Sequence, residues 1–321
     1  MLKIKYNIIY FLIIIFNTHA ALATPLVEKE WLKDKVCAKG FIIVEVHRSK
    51  KEYELSHIPC SVFTNFYTSG WRETRNKIPL LMPKTEKLEK LIGSLGITNN
   101  DHVIIAAPGT GKYDAAEITA VYFTFKYLGH QKVSILNGGL KSWQESWDNE
   151  TDSGFIIPKN KAYQAKTNEN IIATKEDILS LINKKGYLID ARPSDMFAGI
   201  NTSFPSLRTG TIPNAINLPN AWLLKNNTLY FQEKENIIKI LKHAGITKQD
   251  GQISFCNAGL ESALSWFVIS EILEYPNHRL YESSLAEWSG DISLPMIDQI
   301  KFRKNNDNSE EVDSFSMKPP K

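Results

Sequence analysis

The stretch Gln252-Ile253-Ser254-Phe255-Cys256-Asn257-Ala258-Gly259-Leu260-Glu261-Ser262 decides how this chain is read. Its first four residues are compact and largely apolar, the signature of a short buried strand. The next residues are small or polar and include a glycine, so the chain turns there. From Ser262 to Leu273 the apolar residues recur at helical spacing. A strand, a tight loop and a helix in that order form half of a parallel α/β unit.

Working outward, the same order of segments is found twice. The first copy has strands at Phe41–Val46, Val103–Ala107 and Val133–Leu136, with helices over Thr85–Leu95 and Ala115–Leu128. The second has strands at Tyr187–Asp190, Gln252–Phe255 and His278–Tyr281, with helices over Glu233–Ala244 and Ser262–Leu273. Trp143 closes one copy and Trp288 the other, both expected in the core. Alternation of strands and helices predicts an α/β fold of two tandem domains, each a mostly parallel sheet flanked by helices on both faces. The boundaries expected are 24–150 for the first domain, 151–170 for an Asn-, Asp- and Lys-rich linker, 171–300 for the second domain, and 301–321 for a polar, disordered tail.

Composition agrees with a globular protein: 43% of the 321 residues are hydrophobic and 23% are charged. Lys3 and Lys5 precede an apolar run, Ile8–Phe16, too short to span a bilayer comfortably, and Ala21-Leu22-Ala23 fits a small-x-small cleavage site. Residues 1–23 are therefore expected to be a signal peptide, and the mature chain a periplasmic or secreted protein without a membrane segment. Its loss takes the formal charge from +3 to +1. No basic face is implied, and nucleic acid is not an expected partner. Three cysteines, with no Cys-x-x-Cys pair, support neither a disulfide framework nor a zinc ribbon, and leave at least one thiol free or paired with another molecule. No metal or organic cofactor is called for.

A loop beyond the carboxyl end of a strand is where open α/β sheets bind ligands. The amides of residues 257–262 and the start of the following helix would stabilise a thiolate on Cys256 and lower its pKa. Gly259 would permit the turn. A phosphatase would need an arginine six positions after its cysteine, and Ser262 stands there. Gly109-Thr110-Gly111-Lys112 has a faint likeness to a phosphate loop, but not its spacing.

The loop Cys256-Asn257-Ala258-Gly259-Leu260-Glu261-Ser262 resembles the six-residue active-site loop of rhodanese sulfurtransferases. Leu188-Ile189-Asp190-Ala191-Arg192, Phe197-Ala198-Gly199, Arg208-Thr209-Gly210-Thr211-Ile212-Pro213-Asn214-Ala215 and Leu280-Tyr281-Glu282-Ser283-Ser284 with Glu287-Trp288 are similar to that family's other motifs. In the first copy Leu95-Gly96-Ile97, Leu128-Gly129-His130 and Leu136-Asn137-Gly138-Gly139-Leu140 match. The paired arrangement is similar to thiosulfate and 3-mercaptopyruvate sulfurtransferases. That resemblance implies a monomeric enzyme that moves a sulfane sulfur from a small anionic donor to cyanide or a thiol through a Cys256 persulfide. A persulfide carrier without turnover is the alternative. The loop residues Asn257, Ala258, Gly259, Leu260, Glu261 and Ser262 would hold the persulfide. Arg208 would contact the donor anion, and Asp190 and Arg192 would form either a structural ion pair or a support for the loop. The first copy has Ala107-Pro108-Gly109-Thr110-Gly111 at the loop and Glu45 where the family has Asp, so it is expected to be inactive and to wall the cleft.

Four features depart from the family pattern. Thr211 stands for a histidine and Asn214 for a glycine. Cys60, like Cys37 expected to be packed or in a disulfide, also follows Ile-Pro where the family has glycine. Glu261 puts an acid in the loop. At an effective dielectric of about 20, a unit charge about 6 Å away contributes on the order of 2–3 kcal/mol, which weakens the pull on a dianion.

Overall fold

A run such as Phe41-Ile42-Ile43-Val44 has no polar face to offer water, so it forms a strand buried on both sides, as parallel sheets demand. The computed structural model, described here for residues 23–226 and 228–300, builds two sheets from such runs. The expected signal peptide and tail lie outside the described residues, apart from Ala23.

In the first half the strands are β1 (Leu26–Val27), β2 (Phe41–Val46), β3 (Val62–Thr64), β4 (Glu73–Arg75), β5 (Ile78–Leu81), β6 (His102–Ala106) and β7 (Val133–Leu136). The helices are α1 (Lys29–Lys33), α2 (Lys50–Leu55), α3 (Thr85–Ser94), α4 (Lys112–Tyr127) and α5 (Gly139–Gln144). A parallel sheet runs in the order β1-β7-β6-β2-β3, and β4 and β5 form a separate antiparallel hairpin. The second half has β8 (Leu188–Asp190), β9 (Ile216–Asn217), β10 (Ile253–Phe255) and β11 (Arg279–Leu280), with helices α6 (Lys175–Leu181), α7 (Ser194–Ala198), α8 (Lys234–Ala244), α9 (Leu260–Trp266) and α10 (Ser284–Trp288). Its sheet is again parallel, in the order β11-β10-β8-β9. Thus β2, β6 and β7 correspond to β8, β10 and β11. Trp143 and Trp288 are buried at the equivalent places.

The halves share a core. Helix α4 is buried around its whole circumference from Asp114 to Phe125, so it is covered on all sides. One face meets α9 and the π-helical turns that continue α9 over Phe267–Ile272. Phe123 packs edge-on against Trp266 at 4.7 Å, and Tyr122 against Phe267 at 4.8 Å. Each buried aromatic contributes roughly 1.5–3 kcal/mol by area alone. Tyr122 donates to Glu271 at 2.7 Å, and Lys126 pairs with the same carboxylate at 3.2 Å. One apolar cluster therefore runs continuously through both halves.

The connecting segment is not a loose tether. Lys161 N donates to Gly93 O, Lys166 N to Leu128 O, and Asn168 N to Tyr127 O, which straps it along the first half. Tyr163 is buried there. Cys37 and Cys60 are joined in a disulfide with Cα atoms 5.3 Å apart, and Cys256 is free. Cys60 has a φ of 60° and Asn214 a φ of 61°. Both occupy left-handed backbone positions, the physical reason for glycine in such places. Asparagine tolerates that conformation better than most residues.

Candidate functional site

Cys256 follows β10 directly, and two backbone bonds lash its loop to the start of α10. Leu285 N donates to Cys256 O at 3.1 Å and Ala286 N to Asn257 O at 2.8 Å. Ser284 supports the loop from beneath. Its Oγ accepts from Cys256 N at 3.0 Å and Gly259 N at 3.2 Å, and donates to Tyr281 O at 2.8 Å. Gly259 has a φ of 78°, and a Cβ on it would meet Glu282 O at 2.5 Å. Only glycine fits there.

With the loop so fixed, its remaining donors converge on sulfur. Ser262 Oγ donates to Cys256 Sγ at 3.3 Å, and the backbone of Ser262 and Ala258 favours negative charge on the sulfur. The helix begins at Leu260, two residues earlier than the apolar spacing suggests, so Leu260, Glu261 and Ser262 form its first turn. Cys256 is 1% exposed. Its thiol does not sit below its ordinary pKa, as the amide cradle alone would have it. Burial pushes it up and Glu261 adds to the rise, while Ser262 and Ala258 pull the other way. Burial also raises Glu261, as does Asp190, with Lys112 and Arg192 opposing. Asn257 is half-buried, with its Oδ1 buried and unpaired among the described residues.

Asp190 and Arg192 are both fully buried. Asp190 Oδ1 accepts from Arg192 N at 3.0 Å and Nε at 2.9 Å; Oδ2 accepts from Nη2 at 2.5 Å and from Thr211 Oγ at 2.7 Å. Arg192 Nη2 also donates to Gly210 O at 2.7 Å. Thr211 is thus more than a change in a loop, because it completes the shell of a buried carboxylate. The pair joins β8 to the segment before β9 and acts on the site through the charge it sets beside Glu261.

Arg208 requires a correction. Its guanidinium is committed to four carbonyls, donating from Nε to Ser289 O, from Nη1 to Leu294 O, and from Nη2 to Trp288 O and Asp291 O, all at 2.9–3.0 Å. It gathers the chain that leaves α10. A planar fork of five donors suits this task as well as it suits an anion, and sequence alone does not separate the two uses. Ser284 was missed as a site residue. Its signal in the sequence is the Tyr281-x-x-Ser284 spacing, which by itself does not show that the hydroxyl lies beneath the loop.

The same construction appears in the first half. Leu140 N donates to Ala107 O at 2.8 Å and Lys141 N to Pro108 O at 3.1 Å, so Ala107 holds the place of Cys256. There the loop donors turn onto a carboxylate instead. Gly109 N, Thr110 N and Thr110 Oγ all donate to Asp114 Oδ2 at 2.7–3.0 Å.

A rhodanese-like domain model matches residues 28–146 and 174–291. Over 279 residues the chain is 29% identical to a Mycobacterium bovis protein named as a candidate thiosulfate sulfurtransferase, covering 84% of this chain and 96% of that one. It is 27% identical over 281 residues to the sulfur carrier protein TtuD of Thermus thermophilus, covering 84% and 95%. Among solved structures, SseA of Escherichia coli, a 3-mercaptopyruvate sulfotransferase, superposes with a TM-score of 0.71 at 23% identity, over 82% of this chain and 99% of that one. The duplicated parallel sheets, the loop at the end of β10 and the matched residues lead to one statement: the chain belongs to the rhodanese-like family and carries two copies of its domain.

Proposed function

We propose that this protein is a sulfurtransferase that carries sulfur on Cys256. One observation bears most of the weight: a free, buried cysteine at the end of β10 accepts a hydrogen bond from the Ser262 hydroxyl, within a loop whose backbone favours negative charge on the sulfur. Donors fixed in advance stabilise negative charge without reorganising, whether it sits on a thiolate or on the terminal sulfur of a persulfide.

In this mechanism the thiol proton leaves to solvent, and the Cys256 thiolate attacks the sulfane sulfur of an anionic donor. The bond between that sulfur and the rest of the donor breaks. Its electron pair leaves with sulfite from thiosulfate, or with the pyruvate enolate from 3-mercaptopyruvate, which then takes up a proton. A thiolate or cyanide attacks the outer sulfur of the persulfide and returns Cys256 as thiolate. Burial, and after it Glu261, favours the neutral thiol over the thiolate. Export to an oxidising compartment, the expected fate of the N-terminal segment, is compatible with the Cys37–Cys60 disulfide.

The test is thiocyanate release from cyanide with thiosulfate or 3-mercaptopyruvate, together with a gain of one sulfur by mass on the peptide that holds Cys256. Likeness to a named sulfur carrier supports a second reading, in which the persulfide is handed to a partner. No turnover with either donor, with sulfur gained from a low-molecular-weight persulfide, would select that reading. No gain of sulfur from any donor would refute both.

A further inference from the structure

We propose that Glu282 is a positioning residue through which the first half holds the Cys256 loop in its working geometry; the proposal rests on the sulfur-transfer reading above, which makes Cys256 the reacting group. Glu282 touches both partners. Its carbonyl lies against Gly259, where a Cβ would come within 2.5 Å of it. Its carboxyl reaches into the other half and accepts from Met82 N at 2.7 Å. Met82 directly follows β5, and β5 packs against α10, whose Ser284 accepts from the Cys256 and Gly259 amides. The base of the β4–β5 hairpin is tied as well. Arg72, just before β4, donates to Ala120 O at 2.8 Å and to Thr124 Oγ at 2.9 Å, both on α4. Helix α4 packs on α9, whose Ser262 donates to Cys256 Sγ. The hairpin is therefore fastened to both elements that shape the loop, to α10 through Glu282 and to α9 through α4.

The second half repeats this clasp in the opposite direction. There Leu224 and Phe231 pair as an antiparallel bridge, and Phe231 N donates to Asn137 Oδ1 at 3.0 Å. Asn137 stands three residues before Leu140, as Glu282 stands three before Leu285, and those leucines hold Ala107 and Cys256 in the same way. Each half thus lends the end of a hairpin to the corner beside the other half's loop. A contact built twice belongs to the plan of the fold, but only one copy borders a thiol. The copies also differ in chemistry. At the thiol-free corner the acceptor is a neutral amide, and beside Cys256 it is a carboxyl, a stronger acceptor when ionised. Burial pushes that carboxyl up, while Arg72 and then the Met82 amide hold it down. The link matters for rate because donors aimed at a reacting atom tolerate displacements of only about 1 Å.

The experiment uses the full chain and three variants. Glu282→Met keeps the bulk without an acceptor, Glu282→Gln keeps the acceptor oxygen, and Asn137→Ala removes the equivalent contact at the thiol-free corner. The readouts are thiocyanate release from thiosulfate and cyanide, the pH profile of Cys256 alkylation by iodoacetamide, and the midpoint of unfolding in urea. Glu282→Met is expected to lower kcat about tenfold with the thiosulfate KM changed far less. Its alkylation midpoint moves to higher pH, since Ser262 and Ala258 no longer line up to favour charge on the sulfur. Glu282→Gln recovers most of the kcat and the parent midpoint, although it shares the loss of charge beside Arg72. Asn137→Ala lowers the urea midpoint and leaves kcat and the alkylation profile alone. In the parent, the Met82 and Gly259 amides exchange hydrogen through one shared opening, a reading that holds even where Glu282→Met does not fold. If Glu282→Met keeps the kcat and alkylation profile of the parent, or if the two amides open independently, the proposal is overturned. If Cys256 in the parent gains no sulfur, the sulfur-transfer reading fails instead, and the alkylation profiles still decide whether Glu282 positions the loop.

Discussion

The loops at Ala107 and Cys256 have the same backbone anchors and opposite contents. In each, two carbonyls accept from the first turn of the helix after the third strand: Leu140 and Lys141 in one case, Leu285 and Ala286 in the other. In each, donors curl inward toward one side-chain acceptor. In the first half the anion is built in, since Asp114 from α4 takes up three donors. In the second the acceptor is the sulfur of Cys256, which takes a hydrogen bond from the Ser262 hydroxyl. A cradle filled by its own helix cannot hold an incoming charge. The first half differs in two ways that bear on sulfur transfer, the missing thiol and the occupied cradle. Below the loops the contrast recurs. Glu45 accepts from Ile58 N, Ser61 Oγ and His47 Nε2, whereas Asp190 is clasped by Arg192 and Thr211.

The largest expected effect tests which loop carries sulfur. Cys256→Ser removes all thiocyanate release and all gain of sulfur. Adding Ala107→Cys to that variant does not bring either back, because Asp114 still holds the loop donors. Recovery of sulfur on residue 107 would break the comparison. Next come the buried pairs. Arg192→Met leaves Asp190 charged and buried without its main partner and should cost about 3–5 kcal/mol, read as a lower midpoint in urea. The loop support ranks third. Ser284→Ala strips the acceptor from the Cys256 and Gly259 amides, at about 1–3 kcal/mol. Ser284 has a φ of 50°, and its counterpart Gly139 a φ of 62°. Ser284→Gly should therefore be the milder change by roughly 1 kcal/mol, since it loses the same acceptor but relieves the backbone. Equal midpoints for the two variants would show that the left-handed position carries no strain.

Much of this was legible in the sequence because the core strands are long and β-branched. The runs at Phe41–Val46 and Val133–Leu136 appear as read. Elements set by tertiary contact were not legible. Two-residue strands such as β1 and β9 have no period to detect, and their pairing partners define them. The hairpin of β4 and β5 contains Pro79, which argues against a strand, yet it pairs outside the main sheet. The start of α9 depends on the left-handed Gly259, and spacing points instead to Ser262. At the site, the identity of Cys256 followed from its place after a strand. The commitment of Arg208 and the pairing of Cys37 with Cys60 depend on residues distant in sequence. The rise in the thiol pKa is not legible in the sequence, because loop amides are visible there and the degree of burial is not.

That last point yields the smallest and sharpest test. Burial, then Glu261, favours the neutral thiol of Cys256, so at a given pH less thiolate is present than in an unperturbed cysteine. Reaction of this thiol should therefore climb with pH through and beyond the ordinary thiol range. Glu261→Gln keeps the size and most hydrogen bonds of the side chain but removes its charge. One of the two raising causes is then gone, and the midpoint of the profile moves to lower pH. The alkaline plateau stays nearly the same, since full ionisation is reached in both proteins. Below the parent's midpoint the variant reacts several-fold faster. Cys256 is the one free cysteine when the disulfide is intact, so a small thiol reagent reads this site alone. The first half supplies the contrast, for Asp114 is an anion with nothing ionisable in the place of sulfur, and Asp114→Asn should leave the profile where it is. Superimposable profiles for the parent and Glu261→Gln would mean that burial alone governs the thiol.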